Sequence, residues 1–397
     1  MIDLKEPKNC VMPQAGASDF TVCSHCVMDT TDPSIAFDQS GTCNHCLDYR
    51  TLVEMGCPIG VEARDQLAAI IAEIKRNGTG KRYDCIVGIS GGVDSTFALW
   101  KAKEMGLRPL AVHLDNGWNS EAAVRNIQNA LKTLGVDLHT EVLDWEEFRD
   151  IQLAFLRAST PDAEIPTDHA IFATIHHLVK RMGVQYSVTG LNIRTETHMP
   201  PAWSQGHRDW GYIKAIHRQF GSRRRIRRFP HFKFYEGLAL FNRGDVQTIN
   251  ILNYLDYSKS DALKILPSAL GWKDYGGKHN ESIYTRWYQG YYLLKKFGFD
   301  KRKAHLSSRI CAGELTREQA IRELSQPAYP EAVQKQDCEY VSKKLGLTKL
   351  ELDRIMEAAP RKFEEFPSYA KARKSAWFLR ATNVYRFFKN TILRRGS

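Results

Sequence analysis

Six consecutive residues, Ser90-Gly91-Gly92-Val93-Asp94-Ser95, have the composition of a phosphate cradle. Glycines permit the backbone angles of a sharp turn, and without a Cβ they let main-chain N–H groups approach phosphate oxygens closely. A helix opening at Val93 would add N–H donors and the positive end of its dipole. Ser90 and Ser95 offer hydroxyl donors, and Asp94 in the first turn can cap the helix or help to position magnesium. The Gly-Lys-Ser/Thr ending of Walker-type loops is absent, so no loop lysine reaches the phosphates. The chemistry this string suits is the binding of a phosphorylated ligand.

A second constellation is Cys23-x2-Cys26 with Cys43-x2-Cys46, the pairs sixteen residues apart. Each pair presents two thiolates on one tight turn, and two such turns together make the tetrahedral sulfur site that zinc prefers. An iron–sulfur cluster is the competing occupant. Four thiolates leave no open coordination position, so the metal would fold this segment and perform no reaction. His25 and His45 lie inside the knuckles and are expected beside the ligands or exposed. Cys10, Cys57, Cys85, Cys311 and Cys338 are unpaired in sequence.

These residues need elements to position them. Residues 83–89 form a short apolar run suited to a buried parallel strand, and the phosphate loop follows it directly. Helical spacing then runs over 93–105, ended by Gly106. A second strand at 109–114 leads into His113-Leu114-Asp115-Asn116-Gly117-Trp118. A helix at 120–134, a third strand at 138–143, helices at 145–157 and 167–182 and a fourth strand at 185–190 complete the alternation. That order predicts an α/β fold with a doubly wound parallel sheet, preceded by a four-cysteine ribbon and a helix over 60–76. In such sheets ligands sit beyond the carboxyl ends of the strands. Thr189-Gly190-Leu191-Asn192, ending the fourth strand, should therefore share a rim with Ser90–Ser95, His113, Asp115 and Asn116. Beyond about residue 196 the alternation fades, and 236–397 reads as mainly helical. Capping boxes stand at Thr316…Gln319 and Thr348…Glu351. The domains expected are a lead-in over 1–20, the ribbon over 21–60, the α/β domain over 61–235 and a helical region for substrate and partners over 236–397.

The 397-residue chain has ordinary globular composition, 43% hydrophobic and 25% charged, so it can bury a substantial core. A net charge of +11 suits a polyanionic partner such as a nucleotide, nucleic acid, an acidic protein or anionic lipid. No apolar run reaches a transmembrane length, and the amino terminus lacks a secretory h-region, so a cytoplasmic protein is expected. The basic, aromatic tail Lys371–Arg395 could lie against a membrane surface or pack its rings on the body.

The string SGGVDS after a first strand resembles the PP-loop of the ATP pyrophosphatases, a superfamily with a HUP-like fold that includes asparagine and GMP synthetases and tRNA thiolation enzymes. The whole order of motifs is similar to the WbpG-like N-acetyl sugar amidotransferases of lipopolysaccharide and O-antigen biosynthesis. That order is the four-cysteine ribbon, SGGVDS, HLDNGW, TGLN, KHNESIYTRWYQGYYL and KFGFDKRKAHLSSRICAGELTREQA, over about residues 20–370. The resemblance implies ATP, Mg2+ and structural Zn2+ as cofactors. It implies that the acetamido oxygen of a nucleotide-linked N-acetyl sugar is adenylated and then replaced by ammonia. Carried onto this chain, the ATP contacts fall at Ser90, Gly91, Gly92, Val93, Asp94, Ser95, His113, Asp115, Asn116, Gly190 and Asn192. Asp94, Ser95, Lys278, His279 and Glu281 are the candidate catalytic residues. Arg194, Glu196, Lys278 and Arg286 are the candidate substrate contacts. On spacing alone, residues 275–289 read rather as a solvated helix start with Glu281 in its first turn.

Ammonia needs a source. With Met1-Ile2 at its start this form of the chain offers no N-terminal cysteine glutaminase, and neither Cys85 nor Cys311 sits in a nucleophile elbow. A separate glutaminase and a cyclase-like subunit that delivers ammonia are the implied partners, and nucleic acid is not expected. The rival reading is a PP-loop tRNA thiolation enzyme, favoured by the charge and by the Arg223–Arg228 run with Phe229, Phe232 and Phe234. It would need Cys311, or another reactive sulfur, at the ATP rim.

Overall fold

A computed structural model describes residues 20–374 apart from 223–224, 233–235, 237–245 and 277–279. At its centre is a five-stranded sheet, all parallel, in the order β3-β2-β1-β4-β5. The strands are β1 (Cys85–Gly88), β2 (Pro109–Asp115), β3 (Leu138–Val142), β4 (Tyr186–Thr189) and β5 (Gln247–Asn250). The chain steps outward from β1 to β2 and β3, then crosses back to place β4 on the other side of β1. That reversal opens a crevice above the carboxyl ends of β1 and β4, where ligands bind in folds of this kind.

Eight helices introduced in chain order serve the sheet and the ribbon: α1 (Asn44–Gly56), α2 (Gly60–Asn77), α3 (Val93–Glu104), α4 (Glu121–Leu134), α5 (Trp145–Ala158), α6 (Ile165–Arg181), α7 (Ile193–Glu196) and α8 (Trp210–Phe220). Side chains alternate across β1 as a strand's period of two requires. Cys85 and Val87 face one layer with α2, α3 and α4, while Ile86 faces α6 through Leu178 and Val179. Cys85 is accordingly core packing, and burial pushes its thiol up to about 12. Helix starts obey local chemistry. Ser120 accepts from Ala123 N–H at the start of α4, Asp144 from Glu147 N–H at α5, and Asp209 from Tyr212 N–H at α8. Both expected capping boxes are present, at Thr316 and Thr348.

A helical body covers the far side of α5 and α6. Its core gathers Phe148, Phe155, Trp210 and Ile213 with Tyr284, Trp287, Tyr288 and Tyr292 of the helical stretch 283–297. That stretch contains a π-helical segment, Tyr288–Leu293. A smaller cluster joins the four ribbon cysteines to Trp203 and to Ala304 on the helix Lys301–Cys311.

The four expected strands stand within two residues of their expected limits. The fifth strand, β5, lies beyond the boundary drawn at residue 235, in the stretch that reads as mainly helical. Gln-Thr-Ile-Asn is short and half polar, so it carries no apolar alternation to mark it. Tertiary pairing with β4 makes it a strand. Among the described residues no helix is long and apolar enough to cross a membrane.

Candidate active site and cysteine centre

The phosphate loop is clamped from below. Gly91 has φ +82°, and a Cβ there would stand 2.4 Å from the carbonyl oxygen of Ala123. Its own carbonyl accepts from Trp272 Nε1 at 2.9 Å and Asn126 Nδ2 at 3.4 Å. Ser90 and Ser95 meet with their Oγ atoms 3.2 Å apart, Gly92 N–H donates to Ser90 Oγ, and Ser95 Oγ donates to the Gly92 carbonyl. The two hydroxyls are thus held at the loop's mouth. Val93 turns inward and packs in the core, so its part in the site is to anchor α3.

Tyr257 donates its phenol hydrogen to Asp94 Oδ1. Burial, and then the Asp94 charge, push that phenol well up, so it stays a protonated donor. Gly190, at the end of β4, lies directly against the first turn of α3: a Cβ there would be 2.6 Å from the Asp94 carbonyl. Asn192 caps α7 through Oδ1 to Arg194 N–H at 2.9 Å, while its buried Nδ2 has no partner among the described residues. Arg194 donates to the Leu255 carbonyl, and Glu196 accepts from Asn192 N–H. At the end of β2, His113 Nδ1 is 3.0 Å from the Ile89 carbonyl, which makes Nδ1 the donor and leaves Nε2 to accept from Asn119 at 3.1 Å. Asp115 and Asn116 fold their side chains onto the turn, accepting from Gly117 and Trp118 N–H.

A chain segment far away in sequence closes over this rim. Residues 281–283 run against 118–120: Ser120 N–H donates to the Glu281 carbonyl at 2.8 Å and Ile283 N–H to the Trp118 carbonyl at 3.0 Å. Tyr275 donates to Glu281 Oε2 at 3.3 Å. A Cβ placed on Gly92 would stand 3.3 Å from the Tyr275 hydroxyl and 4.0 Å from Glu281 Oε1. Glu281 and Tyr275 therefore roof the phosphate loop. Burial, and then Glu281, push the Tyr275 phenol up, so it too remains a donor. Lys278 and His279 fall outside the described residues. Arg286 is committed elsewhere. Its guanidinium forms a two-point pair with Asp337 at 2.7 and 2.8 Å, which ties the helical stretch 283–297 to the helix Glu331–Leu345.

Sequence reasoning missed a polar wall beside the end of β2. Asn116 Nδ2 reaches Thr167 at the start of α6. Next to it His207 Nδ1 lies 3.0 Å from Asp168, and His207 Nε2 lies 2.9 Å from Ser204 Oγ. Ser204 donates to Asp162, and Lys301 stands 3.9 Å from that carboxylate. Glu164 accepts from Gln289 Nε2 at 2.9 Å. Burial works against charge on Lys301, but Asp162, Glu164 and Asp168 outweigh it and hold the ammonium form. Burial raises Glu164 despite Lys301. The sequence signals were His207, in the stretch that follows the fourth strand, and the acidic pair Asp162 and Glu164 just before Ile165-Pro166, a helix start. Lys301 arrives from over a hundred residues away and carried none.

The four ribbon cysteines are fully buried, and their sulfurs all lie within 4.8 Å of one another. Cys26–Cys43 and Cys43–Cys46 are both 3.7 Å apart. Zinc bound at about 2.3 Å to each sulfur of a tetrahedron requires edges of about 3.8 Å. The spacing fits one tetrahedral ion. A multi-iron cluster divides the four thiolates among separate irons and would spread the sulfurs further. His45 is not a ligand: its Nε2 pairs with buried Asp32 at 2.7 Å.

Residues 281–380 match the family described as LPS biosynthesis protein WbpG-like, C-terminal domain. That part of the chain is therefore WbpG-like. The chain is also 26% identical over 321 residues to a Methanocaldococcus jannaschii protein of unassigned function, covering 78% of this chain and 95% of that one. Over 75 residues it is 40% identical to a glutamine-hydrolysing GMP synthase of Pyrobaculum aerophilum, which is 19% of this chain and 14% of that protein. An NMN synthetase structure from Francisella tularensis aligns at TM-score 0.35 and 12% identity, over 72% of this chain and 96% of that one. The WbpG-like segment begins at Glu281, the residue whose carboxylate stands over the phosphate loop.

Proposed function

We propose that this chain is an ATP-dependent amidotransferase of surface-polysaccharide biosynthesis that converts the acetamido group of a nucleotide-linked N-acetyl sugar into an acetamidino group. The observation that carries the reading is the closure of the WbpG-like segment onto the phosphate loop through its first residue, Glu281, to which the neighbouring Tyr275 donates. The family-defining part of the chain thereby shares one site with the ATP-binding part.

The acetamido oxygen attacks the α-phosphorus of ATP, a P–O bond forms and pyrophosphate leaves. An amide oxygen is a very poor leaving group, and adenylation makes AMP the leaving group instead. Ammonia then adds at the imidate carbon, AMP departs and a proton is lost. The loop amides of Gly91 and Gly92 and the hydroxyls of Ser90 and Ser95 stabilise charge that builds on the phosphate oxygens. Asp94 and Glu281 supply the oxygen ligands a magnesium ion would need, and that ion would offset phosphate charge. Asn192 Nδ2, buried and without a partner among the described residues, suits a hydrogen bond to substrate. The polar wall of Asp162, Asp168, His207 and Lys301 suits a hydroxyl-rich sugar. Ammonia supply by a separate glutaminase and a delivering subunit is part of the same proposal, as is a cytoplasmic site of action.

The thiolation alternative needs a reactive sulfur at the ATP rim. Cys311 instead faces Cys46 and His198 in the cysteine centre, which supports the amide reading. The decisive experiment mixes the chain with ATP, ammonium and candidate nucleotide-sugars and reads the products by mass spectrometry. Replacement of one oxygen by NH, with AMP and pyrophosphate formed, is the expected result. ATP turnover stimulated only by bulk tRNA would overturn it.

A further inference from the structure

Cys46 stands at the corner of a second ring of donors that the four-cysteine pattern does not include. Its Sγ lies 3.7 Å from Cys311 Sγ and 3.8 Å from His198 Nε2, and Cys311 Sγ lies 3.6 Å from the same nitrogen. His25 brings a ring nitrogen within 4.8 Å of both sulfurs. With zinc at about 2.3 Å from sulfur and about 2.0 Å from imidazole nitrogen, tetrahedral edges are about 3.8 Å between sulfurs and about 3.6 Å between sulfur and nitrogen. The three measured separations are those edges. Cys311 is not a member of the first ring, so the two donor sets share one corner, Cys46.

The imidazole is oriented for this. His198 is fully buried, and its Nδ1 lies 2.9 Å from Ser308 Oγ. A partner on one ring nitrogen fixes the other as the metal donor, which is how metal-bound histidines are usually held. Ser308 and Cys311 share the helix Lys301–Cys311, so one helix supplies both a ligand and the support of another.

We propose that Cys46, Cys311, His198 and His25 bind a second zinc ion, with the Cys46 thiolate bridging it to the ion of the four-cysteine ring. Charge favours the pair. Four buried thiolates around one dication leave two net negative charges, and five around two dications leave one. The second ion would also join three segments distant in sequence: the ribbon, the link from β4 through α7, and the helix Lys301–Cys311. Arg194 and Glu196 sit on α7, so the ion would brace the rim of the ATP site.

The test is the zinc content of the full chain by native mass spectrometry after purification from zinc-supplied cells. Two zinc ions per chain are expected. Cys311→Ala and His198→Ala should each lose one ion and keep the other, with an unchanged far-ultraviolet dichroism spectrum. His25→Ala, at an exposed position, keeps the fold if the buried variants do not, and it should release one ion faster to a chelator. A single zinc in the unmodified chain overturns the proposal. So do two ions that persist in His198→Ala and His25→Ala.

Discussion

Replacing Gly190 by alanine tests whether the end of β4 must touch the first turn of α3. The added Cβ would meet the Asp94 carbonyl carbon and oxygen at 2.6 Å and the Ser95 nitrogen at 2.8 Å, whereas ordinary contact begins at 3.4 Å. Both obstacles are main chain, so no side chain can swing away. The ends of β4 and α3 must part by about 0.8 Å. Gly190 does not need a positive φ, so alanine is not strained by its own backbone and the effect is purely steric. Overpacking of this size costs about 1–3 kcal/mol, a few degrees in melting temperature. The catalytic cost is larger than the stability cost. Asp94 and Ser95 lead the turn that holds the phosphates, and a misplacement near 1 Å costs about 10²-fold in rate. The assay follows ATP-dependent pyrophosphate release beside a thermal melt. A folded Gly190→Ala protein with a rate within about twofold of the parent would refute the contact and the loop's catalytic assignment together.

Three further outcomes follow from the same geometry. Glu281→Gln should cut pyrophosphate release by at least about 10²-fold while leaving zinc content and melting temperature unchanged, since the carboxylate stands over Gly92; unaltered kinetics would remove Glu281 from the site. Arg286→Leu should cost about 2 kcal/mol in urea unfolding because it strands the buried Asp337, with little change in KM for the sugar; a selective rise in KM would return Arg286 to the substrate. Stability should also fall in acid. Burial pushes His169 down from 6.5 to about 4, outweighing the His207 carbonyl on Nδ1, and Phe232 N–H donates to Nε2, which must stay unprotonated to accept it. Below 6.5 the unfolded chain takes up a proton that the folded chain refuses until about 4, so roughly 3 kcal/mol is lost across that window. His169→Gln should flatten this part of the pH–stability curve.

Local chemistry was enough to place much of this molecule. Apolar runs at 83–89 and 109–114 suit buried strands, glycines at 91 and 92 mark the turn between a strand and a helix, and paired cysteines declare their ring whatever surrounds them. Those signals act within a few residues, which is why the strand ends, the caps at Thr316 and Thr348 and the cysteine ring were legible. Other features depend on contacts between distant segments. Gln247–Asn250 becomes a strand only because β4 offers it an open edge. Arg286 has the composition of a substrate contact and is drawn away by Asp337, fifty-one residues on. Lys301 and His207 meet Asp162 and Asp168 in a polar wall that no spacing announces. Cys311 and His198 join Cys46 by folding alone. The sequence by itself determined the phosphate loop, the sheet and the cysteine ring. Only the tertiary structure decided that Glu281 would stand over Gly92 and that the cysteine ring would gain neighbours, because long-range packing brings together groups that local patterns leave apart.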